Sequence, residues 1–473
     1  MDASTGPGAP LNLNLSEDGL YAAHVSGKSL VVHSNVASDH KDVQIARIKE
    51  IPLKSLKHFN VEAFPGTSDD ETVSRRRLVS ANDSRISVWQ LTPLEILAEI
   101  ESIEPGALAV DFGADENEIL VFHAWNTKLS VHSLKTRRSS VIKAPKFAHH
   151  FGHGYRTKTR HFAVILKPET SDLLTVHEPQ SYELVHKTVL PTIDAQGLKW
   201  SPDGKWISIW DTPTAGTKVL VFTADGQLFR TYSGPSGVDD SFDLGVKQIE
   251  WSPPHQGICE ILAVGKVNGN IDLLRTRTFS SPATLSHVFS TDQQCPNIWR
   301  ERYTSAAGDA EYAETSSSSA MSMSPESVGP PRGVLMMTFS SDGRLLATVD
   351  SARQNVVWIW SLEGIPTLAS VLVHEQPVRQ IIWHPSTPQL LINTITNTLP
   401  AIRWWSPKDH PMIVRVPVQR SESGKYDVRW VAGSNTDAAF WFNSPEQHVI
   451  GYLSTSGDAV EFKLLNSVSS KTN

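Results

Sequence analysis

One short pattern recurs along this 473-residue chain and limits what it can fold into. An apolar-alternating stretch ends in an aromatic, Ser-Pro-Asp-Gly or a relative follows, then comes an apolar stretch of small residues and a third stretch often ending in Trp. Its fullest copy is Leu198-Lys199-Trp200-Ser201-Pro202-Asp203-Gly204-Lys205-Trp206-Ile207-Ser208-Ile209-Trp210. A second runs over 336–347 through Ser340-Ser341-Asp342-Gly343 and on to Val356-Val357-Trp358-Ile359-Trp360. Residues 249–273 and 381–404 repeat it, and fainter copies begin near Leu11, Leu78, Leu108, Phe162 and Val428. Alternation with period two marks strands, Asp-Gly supplies the positive φ of a two-residue hairpin, and Pro before it stops the ladder.

About nine modules spaced by about 40 to 50 residues match the four-stranded blade of a β-propeller. The expected fold is therefore all-β, with about nine four-stranded blades arranged as one large ring or as two propellers. Residues 1–190 read as about four N-terminal blades and 191–275 as central blades with the strongest motifs. Residues 333–465 read as C-terminal blades and 466–473 as a flexible tail. Between them, 276–332 carries Ser316-Ser317-Ser318-Ser319 and Gly329-Pro330-Pro331, too polar and Pro-rich for a core, and is expected to be a largely disordered insertion. One aromatic per module, Trp200, Trp251, Phe339, Trp383 and Trp430, is expected to fill the gap between blades and not to form a ligand cage.

Charge and cysteine usage narrow the function. Lys+Arg total 43 against Asp+Glu 50, a formal net charge of −7, which argues against a nucleic-acid partner because counterion release needs a basic surface. No apolar run is long enough to span a membrane, and residues 1–10 lack a secretory leader, so a soluble intracellular protein is expected. Cys259 and Cys295 are too few for a disulfide framework or a thiolate zinc site. His149, His150, His153 and His161 cluster in sequence, but the glycines and basic residues around them predict a hairpin, not a metal-binding helix face. Neither a nucleophile elbow nor a phosphate-binding glycine loop occurs, so no enzyme and no cofactor are expected.

Partner contact is assigned to loops, since blade faces are committed to packing. Trp404 and Trp405 are adjacent and point to opposite faces of a strand, which makes one of them a candidate exposed anchor. Tyr232, Phe242 and Trp299 stand near polar insertions and are weaker candidates. Lys146, Arg156, Lys158 and Arg160 form a basic loop suited to an acidic surface. Ser281 and Ser324 precede proline in or beside the insertion and are candidate phosphosites.

These modules resemble the WD-repeat superfamily. Residues 197–405 more specifically resemble the centrosomal and spindle-pole-body WD-repeat proteins found from fungi to vertebrates, through 198–204, Ile209-Trp210-Asp211-Thr212, 218–222, 244–265, 333–348, Asn355-Val356-Val357-Trp358-Ile359-Trp360 and 377–383. The resemblance implies a non-catalytic adaptor at the microtubule-organising centre. Its implied partners are a coiled-coil microtubule-anchoring protein and a minus-end-directed kinesin. A large propeller of the translation-initiation-factor type, contacting the ribosome, is the alternative. Only Trp210-Asp211 spells the WD dipeptide, so hydrogen-bonded Asp-His-Ser-Trp networks are expected to be rare.

Overall fold

The alternating apolar segments become antiparallel strands in the computed structural model, which describes residues 13–34, 42–49, 52–59, 75–101, 103–148, 150–235, 243–288, 297–305, 309–316, 333–395, 400–421, 424–431, 439–444, 447–456 and 459–469. Among the described residues the chain is all-β and forms nine propeller blades. Each blade is a meander of four strands, A to D, paired in chain order. Blades 1 to 9 cover 14–47, 55–100, 107–143, 153–189, 197–232, 246–285, 334–373, 378–415 and 427–469. No helix among the described residues is long and apolar enough to cross a membrane.

The A–B turn explains why the Ser-x-Asp-Gly signature recurs. In blades 1, 5 and 7 the Ser16, Ser201 and Ser340 hydroxyls are buried and donate to Asp18, Asp203 and Asp342 at 2.5, 2.6 and 2.6 Å. Each hydroxyl also accepts the backbone N–H five residues on, from Tyr21, Trp206 and Leu345, at 2.9, 2.9 and 3.0 Å. Only the glycine turns left-handed, with φ +71° at Gly19, Gly204 and Gly343. The connection is thus a side-chain-closed loop, residues 201–205 in blade 5, and not the two-residue hairpin read from Asp-Gly.

Packing between blades follows the one-aromatic-per-module rule. Trp251, Phe339, Trp383 and Trp430 are buried and Trp200 is half-buried. Three of these indoles reach the preceding blade: Trp200 donates to Gly154 O (3.1 Å), Trp251 to Ser208 Oγ (2.9 Å) and Trp383 to Thr338 O (3.0 Å). Polar relays are more frequent than the missing WD dipeptides suggested. His287 holds Gly269 O (2.7 Å) with Nδ1 and Thr348 Oγ1 (2.9 Å) with Nε2, and Trp360 Nε1 donates to the same hydroxyl (3.0 Å). The reason is that Thr and Ser within strand B take the receptor role without the dipeptide in strand C. Asp211, of the single Trp-Asp pair, is fully buried and accepts the N–H groups of Ile193, Asp194 and Thr212.

The nine blades fall into two compact units, residues 1–148 with 416–473 and residues 149–415. The first holds blades 1, 2, 3 and 9, and the second blades 4 to 8. Within the first, blade 9 joins blade 1: Trp441 Nε1 donates to Gly19 O (2.9 Å) and Arg429 to Leu15 O (3.2 Å). The division falls after 148 and not at 190, because all modules repeat one rhythm and the sequence does not say which neighbours group together. The last strand, Ala459–Ser469, runs into the segment expected to be a tail.

The segment 276–332 also differs from expectation. Ser280–Leu285 is strand D of blade 6. Asn297–Tyr303 and Ala310–Glu314 form a hairpin whose first strand lies parallel to Thr367–Val373, so blade 7 becomes a six-stranded sheet. Average composition hid Ile298 and Trp299, which give this strand one apolar residue on each face.

Trp251→Ala removes a buried indole together with its hydrogen bond to the Ser208 hydroxyl, and is expected to destabilise the second unit by about 3–5 kcal/mol. Ser208→Ala, which leaves the ring in place, is expected to cost about 1 kcal/mol. Thermal unfolding of the two variants checks this order.

Candidate functional site

In the second unit, the A–B turns and C–D loops of blades 4 to 8 lie at one end of their blades, and two depressions open there. The larger, about 430 Å³, lies between blades 7 and 8 and is lined by Trp299, Arg344, Glu363, Trp405, Asp409 and His410 among others. A second, about 220 Å³, lies between blades 6 and 7 over His255, Glu260 and Leu362. Both share Asp342, Arg344 and Glu363, so they form one groove crossed by the exposed Arg344–Glu363 pair at 3.1 Å. Exposed pairs of this kind contribute little stability and reopen readily.

Apolar surface flanks the groove at the same end. Phe229 is 50% exposed and packs on Trp206 (ring centroids 4.8 Å) and, edge-on, Phe279 (6.0 Å). Ile258 is exposed beside the second depression and Ile365, 84% exposed, stands in the C–D loop of blade 7. Neither Phe229 nor Ile365 was singled out by sequence reasoning, yet both follow a turn signal, Asp225-Gly226 and Gly364.

The added hairpin walls the groove and is pinned by buried charge. Glu301 and Arg403 are both buried; Arg403 Nε donates to Glu301 Oε2 at 3.3 Å and Nη2 to Oε1 at hydrogen-bond distance. His374 Nδ1 lies 3.4 Å from Glu301 Oε2 and 3.2 Å from the Tyr312 hydroxyl. Burial opposes ionisation of Glu301, but the hydrogen bond from His374 and the Arg403 charge outweigh it and hold the carboxyl at about 2. Burial likewise lowers His374 and raises Tyr312. The hairpin (Glu301), blade 7 edge (His374) and blade 8 strand C (Arg403) are thus locked together.

The residues proposed from sequence meet different fates. Trp299 is half-buried, edge-on to His410 at 5.0 Å, and lines the groove. Trp404 and Trp405 are 9% and 5% exposed, so the expected exposed anchor is absent: the strand is covered on both faces, and only the rim of Trp405 reaches the groove. Tyr232 is buried and donates to Asp272 Oδ2 (3.0 Å), where Lys266 pairs with the same carboxylate at 3.3 Å, so it serves the blade interior. Phe242 and Ser324 lie outside the described residues. Ser281 is in an edge strand and not in an insertion; its hydroxyl donates to Ala283 O at 3.0 Å.

The basic loop divides. Arg156, Lys158 and Arg160 occupy the A–B turn of blade 4, at the groove end of the second unit, with Arg156 Nε donating to Gly204 O at 2.7 Å. Lys146 follows strand D of blade 3 and belongs to the first unit. His149 lies outside the described residues, and among those residues no three His, Cys, Asp or Glu side chains gather as metal ligands do.

The groove lies over the blade turns of a β-propeller chain and is flanked by exposed apolar side chains. The chain is 28% identical over 332 residues to mouse WD repeat-containing protein WRAP73, covering 65% of this chain and 69% of that protein. It is 24% identical over 319 residues to an uncharacterized WD repeat-containing protein of Schizosaccharomyces pombe, covering 66% of this chain and 62% of that one. Its homologues are thus WD-repeat proteins, as the sequence resemblance held. Among solved structures, KlAtg21 in complex with the coiled coil of AgAtg16 superposes with a TM-score of 0.45 at 11% identity over 89% of this chain and 99% of that chain. No family model matches the chain.

Acid is expected to weaken the second unit through two groups. Glu301 titrates at about 2 when folded against an ordinary 4.5, so its contribution is complete above pH 4.5 and is lost as pH falls toward 2. Burial holds His287 neutral down to about 4 against an ordinary 6.5, so the unfolded chain takes up that proton first and stability falls from pH 6.5 downward. Melting temperatures between pH 7.5 and 3 should fall throughout, and Glu301→Gln should flatten the part below pH 4.5. At pH 7, Glu301→Ala should destabilise by about 3–5 kcal/mol by leaving Arg403 buried without its carboxylate.

Proposed function

We propose that this protein is a non-catalytic WD-repeat scaffold of the microtubule-organising centre. In this reading the groove end of the second unit receives a helical or extended segment of a coiled-coil microtubule-anchoring protein, and the pair helps recruit a minus-end-directed kinesin to anchor microtubule minus ends at the spindle pole. The protein works in the cytoplasm on the cytoskeleton.

One coincidence carries the reading. The resemblance to centrosomal and spindle-pole-body WD-repeat proteins spans 197–405, within the same unit, 149–415, that holds the groove and its apolar tips. Similarity to the mouse WD-repeat protein supports it. A row of apolar tips beside a groove offers the anchor points that amphipathic segments use, while Arg344, Glu363 and Asp409 at its walls can fix register.

Affinity purification from mitotic cells tests the proposal. Wild-type protein should recover spindle-pole or centrosome components, and Ile365→Ser should lose at least tenfold of that recovery without lowering the melting temperature, since that side chain is 84% exposed. Recovery of no such component by the wild type would count against the reading.

A further inference from the structure

The first unit carries a strained, exposed tryptophan. Residues 124–127 form the B–C connection of blade 3, a four-residue turn closed by Thr127 N–H to Ala124 O at 3.4 Å. Both central residues are left-handed: Trp125 at φ 57°, ψ 22° and Asn126 at φ 53°. Gly, Asn and Asp suit these positions, and a bulky aromatic there is an outlier. Trp125 is also 83% exposed. The indole therefore strains the backbone without gaining burial in return.

The surroundings hold the turn in place. Ala124 N–H donates to Gly106 O (2.9 Å), Ala144 N–H to Thr127 O (3.0 Å), and Asn126 Nδ2 to Lys146 O (3.0 Å). Strain that the structure over-determines and that contributes nothing to packing points to a contact outside the chain.

Charge says what kind of contact. Residues 124–128 and 143–148, which meet at this turn, carry Lys128, Lys143 and Lys146 and no acid. Lys128 and Lys143 stand directly opposite each other across strands C and D, an arrangement that destabilises a sheet. Among the described residues neither of these two lysines meets a carboxylate within ion-pair distance. Lys128 adds to burial in lowering His123 and His132, so its charge is felt across the blade. Exposed Glu104, on the segment leading into the blade, limits the basic area to the turn itself.

We infer that this B–C end of blade 3 is a docking site for an acidic peptide segment of a partner protein, with an apolar side chain laid against Trp125 and carboxylates between Lys128, Lys143 and Lys146. The patch is narrow, and the chain as a whole carries a net charge of −7, which favours a peptide over a broad anionic surface such as a bilayer. It lies in the first unit and stands independently of the groove in the second.

Fluorescence anisotropy on the full chain tests it, with a short fluorescein-labelled peptide in which Asp and Glu flank a central Leu-Phe pair. The same peptide with Lys for its acids, and phosphatidylserine vesicles, serve as competing probes. The acidic peptide should bind with an affinity that falls as salt rises. Trp125→Gly should weaken binding about tenfold or more while the melting temperature holds or rises, because glycine relieves the left-handed strain. Lys128→Glu should weaken it similarly. The proposal is overturned if the acidic peptide fails to bind or binds wild type and Trp125→Gly alike, if Trp125→Gly lowers the melting temperature, or if vesicles and not the peptide bind in a Trp125-dependent way.

Discussion

A sheet that is apolar on both faces cannot stand alone in water, and this constraint governs the molecule. Strand B of the blades, and strand C of blades 4 to 8, bury almost all their residues, as Glu118–His123 and Val356–Ser361 show. Burial at about 25 cal/mol per Å² makes covering each face by the next blade the dominant favourable contribution. The indoles of Trp200, Trp251 and Trp383 add direction to that contact, since each must find its acceptor on the preceding blade. Blade faces are thereby used up, and recognition is left to turns, loops and added strands.

The added hairpin shows how polar residues enter such a design. A buried carboxylate is costly unless it is paired, and Glu301 is paired on several sides at once, by Arg403, His374 and the Glu375 N–H. The arrangement specifies one seat for the hairpin along the edge of blade 7. A merely apolar strand would slide along that edge more easily. The groove beside it inherits a fixed wall, with Trp299 held against His410.

How much of this could be read from the chain depended on the range of each interaction. Local signals were legible: strand alternation, the Ser-x-Asp-Gly turns and one aromatic per module led to nine blades, because each depends on residues within a few positions of one another. Glu301 and Arg403 are 102 residues apart, and nothing in a polar, Ser-rich stretch marks one glutamate as buried. Trp404 and Trp405 misled for a related reason: opposite-facing side chains imply an exposed one only where a sheet has a free face, and blade 8 has none there. Of the candidate groove, Trp299 was legible and the exposed tips were not. Their exposure is set by how far each loop or edge strand projects, which composition does not encode.

Blade 9 packs on blade 1 inside a unit built from two separated segments, residues 1–148 and 416–473, whereas residues 149–415 are contiguous. During synthesis the contiguous unit has all its parts as soon as its last strand leaves the ribosome. The other must hold three blades with one flank uncovered until residues 416–473 arrive. Vectorial synthesis therefore puts the two halves on different clocks, and the half assembled last is the one whose unfinished edge has to be protected from wrong company in the meantime.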